Sequence, residues 1–172
     1  VKDATNTLRR KVSRSFNLLG QMQTLTDAYQ KPTGFVYDAE GALDHTTDAL
    51  KRVTDHDVDP LGRRKRTVAN ATAAINATDR AETGFQYDAL DRLTDVTDPK
   101  GLQTHYDYNG FGEVTTLHSP DTGITNSSYD SAGNRVSRTD ARGKLATTVY
   151  DALNRPTAVV YPQEPELNVV YT

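Results

Sequence analysis

Short segments in which apolar or aromatic residues alternate with polar ones run along the chain, separated by clusters of Asp, Asn, Gly and Pro. RLTDVT from 92 and LQTHYDY from 102 are typical. At roughly 3.3 Å per residue each spans about 20 Å, an ordinary strand. Residues two apart share a face of a strand, so Phe35 with Tyr37, Phe85 with Tyr87 and Tyr106 with Tyr108 form aromatic pairs on one side. Together with Phe16, Tyr129 and Tyr150 they predict a half-buried core stripe in an all-β chain.

The segments recur at a fixed period. Taking the residue before each turn acid as an anchor gives Phe16, Tyr37, Val58, Tyr87, Tyr108, Tyr129, Tyr150 and Tyr171, spaced by 21 residues except for one interval of 29. The long interval, Val58 to Tyr87, predicts an eight-residue insertion within 69–84, read as a surface loop or short helical turn. A second turn follows each anchor turn by ten residues, as Asp98 follows Asp88 and Asp140 follows Asp130. One period is therefore strand, turn, strand, turn. A single such hairpin is marginal in water, so a stacked array of antiparallel hairpins is expected, its stability roughly additive along the array.

Turn chemistry explains the recurring acids. DAEG (Asp38 to Gly41), DPLG (Asp59 to Gly62), NGFG (Asn109 to Gly112), DSAG (Asp130 to Gly133) and DALN from Asp151 mark anchor turns, and Asp88 opens another. DPKG (Asp98 to Gly101) and DARG (Asp140 to Gly143) mark second turns. An Asp or Asn that opens a turn accepts bonds from amides two or three residues on, and Gly or Asn at its end tolerates positive φ. The acids are read as turn formers, not reagents.

Composition narrows the classes. The chain has 172 residues and a net charge of −3, too small an imbalance for disorder by composition, and its pI of about 5.8 gives no basic footprint for nucleic acid. RRKR at 63 to 66 and RRK at 9 to 11 are local exceptions. On a strand such runs split between two faces. The absence of cysteine excludes disulfides, thiolate zinc sites and a cysteine nucleophile. No apolar run approaches a membrane span. The chain opens at Val1 with no methionine, which fits a processed or excised piece.

A 21-residue period carrying YDALDRLTDVTDPKG, YDSAGNRVSRTDARG and YDALNRP resembles the YD-repeat, or Rhs, family: bacterial Rhs and wall-associated polymorphic toxins, C components of insecticidal toxin complexes, and teneurins. The resemblance runs from about residue 16 to the end, with 1–15 as the tail of a preceding repeat. It departs at Val58 in place of tyrosine, at Asp91 in place of a turn glycine, and at Tyr29 and Leu50 in second turns that lack their glycine. It implies a hairpin ribbon curving into a hollow shell around a C-terminal toxic cargo. It also implies a secreted or cell-surface bacterial setting, and as partners the toxin domain and further repeats. Asp98, Pro99, Gly101 and Leu102 echo the start of that family's self-cleaving core segment, but QTHYDYNGFG then continues the repeat. The segment is therefore read as wall, with no catalytic residue, cofactor or metal.

Other chemistries fit the residues less well. Asp55, Asp57 and Asp59 have the alternate spacing of an EF-hand loop, but Pro60 stands where the loop needs glycine and Arg66 where it needs glutamate. A paired-carboxylate hydrolase has no reason to repeat its acids every period. His45, His56, His105 and His118 fall at different repeat positions without ligand spacing, and read as solvated. A carbohydrate- or surface-binding adhesion module is the alternative function. Open strand edges predict self-association.

Overall fold

The computed structural model describes residues 11–71 and 79–171. Among the described residues the regular elements are β-strands, with a 3-10 turn at Pro165–Leu167. The chain divides into two compact units, Val1–Gly84 and Phe85–Thr172.

The first unit carries β1 (Ser13–Phe16), β2 (Met22–Thr26), β3 (Pro32–Tyr37), β4 (Leu43–Thr47), β5 (Val53–Val58), β6 (Arg64–Ala69) and the start of β7 (Ala81–Tyr87). The second carries the end of β7, then β8 (Leu93–Thr97), β9 (Gln103–Tyr108), β10 (Val114–Ser119), β11 (Gly123–Tyr129), β12 (Arg135–Thr139), β13 (Leu145–Tyr150), β14 (Pro156–Val160) and β15 (Val169–Val170). In each unit a strand lies beside its sequence neighbours, antiparallel, so the topology is an uninterrupted meander.

Register explains how an odd period keeps its tyrosines together. Six hairpins at anchor turns carry one extra residue just after the turn: Tyr37 faces Leu43 but Val36 faces His45, and Tyr129 faces Arg135 but Ser128 faces Ser137. Hairpins at the second turns, such as His45 with Asp55 and Ser137 with Thr147, run without a shift. A single bulge inverts the alternation of side chains, and so does an odd number of residues per repeat. The two inversions cancel. Successive anchors therefore fall on one face, here called the tyrosine face.

That face is half-buried rather than a sealed core. Phe35, Tyr37, Phe85, Tyr87, Tyr106, Tyr108, Tyr129 and Tyr150 are all partly exposed. Among the described residues only Val68, 1 % exposed, and Thr125, 7 % exposed, are buried. Contacts between elements run from each strand to its sequence neighbours, so side chains are shielded by cross-strand partners and not by an opposing layer. Phe16 differs from the expected stripe. It ends the first described strand and is 56 % exposed.

Strand flanks the eight-residue insertion expected within 69–84. Ala69 ends β6 and pairs with Ala81, and Val68 pairs with Glu82, so both flanks of the expected excursion are strand. Residues 72–78 lie outside the described residues.

Candidate functional site

The turns form the most regular array of polar contacts. In each, the amide of the opening Asp or Asn donates to the carbonyl four residues on, and the fourth residue donates back to the opening carbonyl, as at Asp88 with Arg92 (3.0 Å) and Asp91 with Asp88 (3.2 Å). The side-chain oxygen of the opener then accepts further amides, two in most turns and one, from Ala42, at Asp38. Asp151 Oδ1 takes those of Leu153 (2.9 Å) and Arg155 (3.0 Å), and Asn109 Oδ1 takes those of Phe111 (2.9 Å) and Glu113 (3.1 Å). The accepted amides lie two and four residues on, which corrects the expected two or three. The fourth residue has positive φ throughout: glycine at 20, 41, 62, 101, 112, 133 and 143, but Gln30, Lys51, Asp91 and Asn154 where glycine is missing.

Arginine at the fifth position ties down the opener's second oxygen. Arg52, Arg63, Arg92 and Arg155 each donate Nε–H to Oδ2 of Asp48, Asp59, Asp88 and Asp151, all at 2.7 Å. The Arg92 amide, and then its side chain, hold the Asp88 carboxyl below the usual carboxylate range against the opposing effect of burial. Arg155, first by its side chain, does the same to Asp151. These carboxylates are ionised acceptors and poor candidates for a proton donor at neutral pH.

Two further sets of bonds join repeat to repeat. Anchor tyrosine hydroxyls donate to the carbonyl fifteen residues back: Tyr37 to Met22 (3.0 Å), Tyr108 to Leu93 (2.7 Å), Tyr129 to Val114 (2.9 Å) and Tyr150 to Arg135 (3.2 Å). Neighbouring anchor turns are also stitched sideways, by Gln21 to the Gly41 carbonyl (3.1 Å) and Asn134 to Asn154 (2.9 Å). Arg92 combines these roles, donating Nη1–H to the Asn109 carbonyl (2.9 Å) with its guanidinium 4.7 Å above the Tyr108 ring.

One constellation does not repeat. On the face opposite the tyrosines, β8, β9 and β10 bring together Asp95, His105, Asp107 and His118. His105 faces Asp95 on one side and His118 on the other. Its Nδ1 lies 2.7 Å from Asp95 Oδ1 and its Nε2 3.3 Å from Asp107 Oδ1, while His118 Nε2 is 3.5 Å from Asp107 Oδ2. The two imidazoles tilt against each other with centroids 5.9 Å apart. A carboxylate only accepts, so His105 satisfies both neighbours only as imidazolium. The Asp95 bond accordingly raises the His105 pKa, and Asp95 is lowered, burial opposing the bonds from His105 and Thr94. Sequence reading treats these histidines as solvated and misses the string.

Elsewhere the acids do not gather. Asp57 pairs with Arg66 and Asp59 with Arg63, so the alternate aspartates of DHDVDPLG serve different partners. No group of three or more His, Cys, Asp or Glu among the described residues is placed to hold a metal ion. His56 Nδ1 is buried without a hydrogen-bond partner, and burial, then Arg64, lowers that pKa. No helix among the described residues is long and apolar enough to cross a membrane.

The fold is similar to parts of much larger assemblies. A crystal structure of TcdB2-TccC3-Cdc42 superposes with a TM-score of 0.74 at 16 % identity, over 92 % of this chain and 9 % of that one. A structure of the Photorhabdus luminescens Tc holotoxin pore gives 0.73 at 15 % identity, over 93 % of this chain and 9 % of that one. The chain thus spans less than a tenth of either. No curated protein matches it in sequence. The RHS Repeat profile matches residues 59–102, 87–124 and 129–164, more than half of the chain. With its period, turns and tyrosine ladder all falling within that pattern, the chain belongs to the RHS repeat family.

Proposed function

We propose that this chain is a length of wall in an Rhs-type toxin shell, enclosing a C-terminal toxic cargo that these residues do not include. The observation that carries the reading is the division of labour among polar groups. The opening Asp and Asn side chains of the turns, and the anchor tyrosine hydroxyls that have partners, are spent on holding the ribbon to itself. A wall needs that and no reaction chemistry. Its partners in this reading are further repeats and the toxin domain, and its setting is secreted or cell-surface in a bacterium.

The test is limited proteolysis of the full-length parent protein. Its C-terminal region should resist cleavage while the repeats are intact, and become sensitive when they are disrupted. Cleavage of that region at the same rate in the parent and as an isolated fragment would defeat the proposal.

A further inference from the structure

We infer that the depression on the tyrosine face of β10–β12 is a binding site for a carboxylate-bearing ligand, gripped by the guanidinium groups of Arg135 and Arg138. The hollow is about 290 Å³, at the lower edge of small-molecule pockets. Val114 and Leu117 contribute apolar wall, Thr125 and Ser127 hydroxyls, and Tyr129 the flank.

Three observations converge on an anion. The other arginines of the second unit, Arg92, Arg142 and Arg155, are each held by an aspartate of their own turn. Arg135 and Arg138 reach no carboxylate among the described residues, and both line the hollow. The three strands of the hollow, β10, β11 and β12, themselves carry no acidic residue, while Arg135 faces Tyr129 and Arg138 faces Ser127, so the tyrosine face of these strands is cationic. Finally, the hydroxyls of Thr125 and Ser127, which both line the hollow, have no hydrogen-bond partner among the described residues.

A guanidinium presents paired N–H donors that match a carboxylate, and two of them beside free hydroxyls and an apolar wall suit a carboxylate on a short stem. A uronic acid and a glutamate side chain share that chemistry. The inference does not depend on the wall proposal, because it concerns one hollow and not what the array encloses.

The test is an NMR titration of the 172-residue chain with sodium glucuronate, with glutarate and with glucose at constant ionic strength. Saturable shifts at Thr125, Ser127 and the Arg138 side chain are expected with one or both acids and none with glucose. Preference for glucuronate points to an acidic sugar and preference for glutarate to an acidic side chain, either outcome supporting the site. Arg135→Ala and Arg138→Ala should each weaken binding about fivefold or more, while Arg142→Ala leaves it unchanged. Should alanine unfold the sheet, Arg138→Gln with an otherwise unaltered amide spectrum replaces it. The inference is overturned by absence of saturable shifts, by glucose binding as well as the acids, or by an unaltered affinity in the folded Arg138 variant.

Discussion

At the scale of the residue, the opening Asp of each turn does its work as an acceptor, and its charge is a second contribution. Asn17 and Asn109 occupy the same position and accept the same amides. Replacing Asp88 by Asn should therefore keep the turn and lose the Arg92 ion pair, whereas Asp88→Ala strands the Leu90 and Arg92 amides as well. Thermal denaturation should rank wild type above Asn and Asn above Ala; equal stability of Asn and Ala would remove the acceptor role. The charge has its own signature in pH. Asp88 and Asp151 both titrate below their ordinary value, Asp88 chiefly through the Arg92 amide and Asp151 chiefly through the Arg155 side chain. A depressed carboxylate contributes stability that is present above the unfolded value and lost as pH falls through the folded one. The array should thus lose stability in acid, and less steeply in a variant carrying Asn at several openers.

At the scale of the element, the bulge sets which face a tyrosine takes. Thr115 is the extra residue of its hairpin, since Tyr108 faces Val114 and Asp107 faces Thr116. Deleting Thr115 alone removes the inversion and sends Tyr129 to the opposite face, away from the Val114 carbonyl. Deleting Thr115 and Thr116 together shortens the strand but restores parity. The single deletion should be the more damaging, as read by loss of cooperative unfolding, and the reverse order would refute the parity argument. The histidine string belongs to this scale because it joins three strands. Asp95 on β8, Asp107 on β9 and His118 on β10 all face His105, and Asp95 is the main reason for its raised pKa. A raised histidine contributes stability that is full below its unfolded value and fades as pH rises through the folded one; the lowered Asp95 sets the acid limit. Between about pH 5 and pH 8 the wild-type melting temperature should fall more than that of His105→Gln, with the His105 ring titrating above its ordinary value. A midpoint at or below that value would show that the two hydrogen bonds from His105 to the carboxylates do not hold in solution.

At the scale of the whole molecule, the legible features were those encoded inside one period. The turn openers, the tyrosines and the hairpin class can be read because each recurs, and Gly20, Gly41, Gly112 and Gly133 mark the positive-φ position even where Asp91 and Asn154 replace it. What sequence reading missed depends on register between strands that are not copies of one another. Asp95 and His105 are equidistant from Lys100 at the centre of their turn, and could be paired from that alone; His118 joins them only once the bulge at Thr115 is counted. The hollow beside Arg135 and Arg138 likewise draws on three strands. The same locality governs cooperativity. Strands contact their sequence neighbours in each unit, so a defect has no opposing layer through which to spread. Tyr129→Phe, which removes the hydroxyl donated to the Val114 carbonyl, should cost about 1 kcal/mol, and Tyr129→Ala more through lost cross-strand packing. Amide hydrogen exchange should register that loss in β10, β11 and β12 and leave β2, β3 and β4 at wild-type protection, because local opening draws on local contacts. Uniform loss of protection along the chain would mean that the repeats unfold as one body and that their stability is not a sum over neighbours.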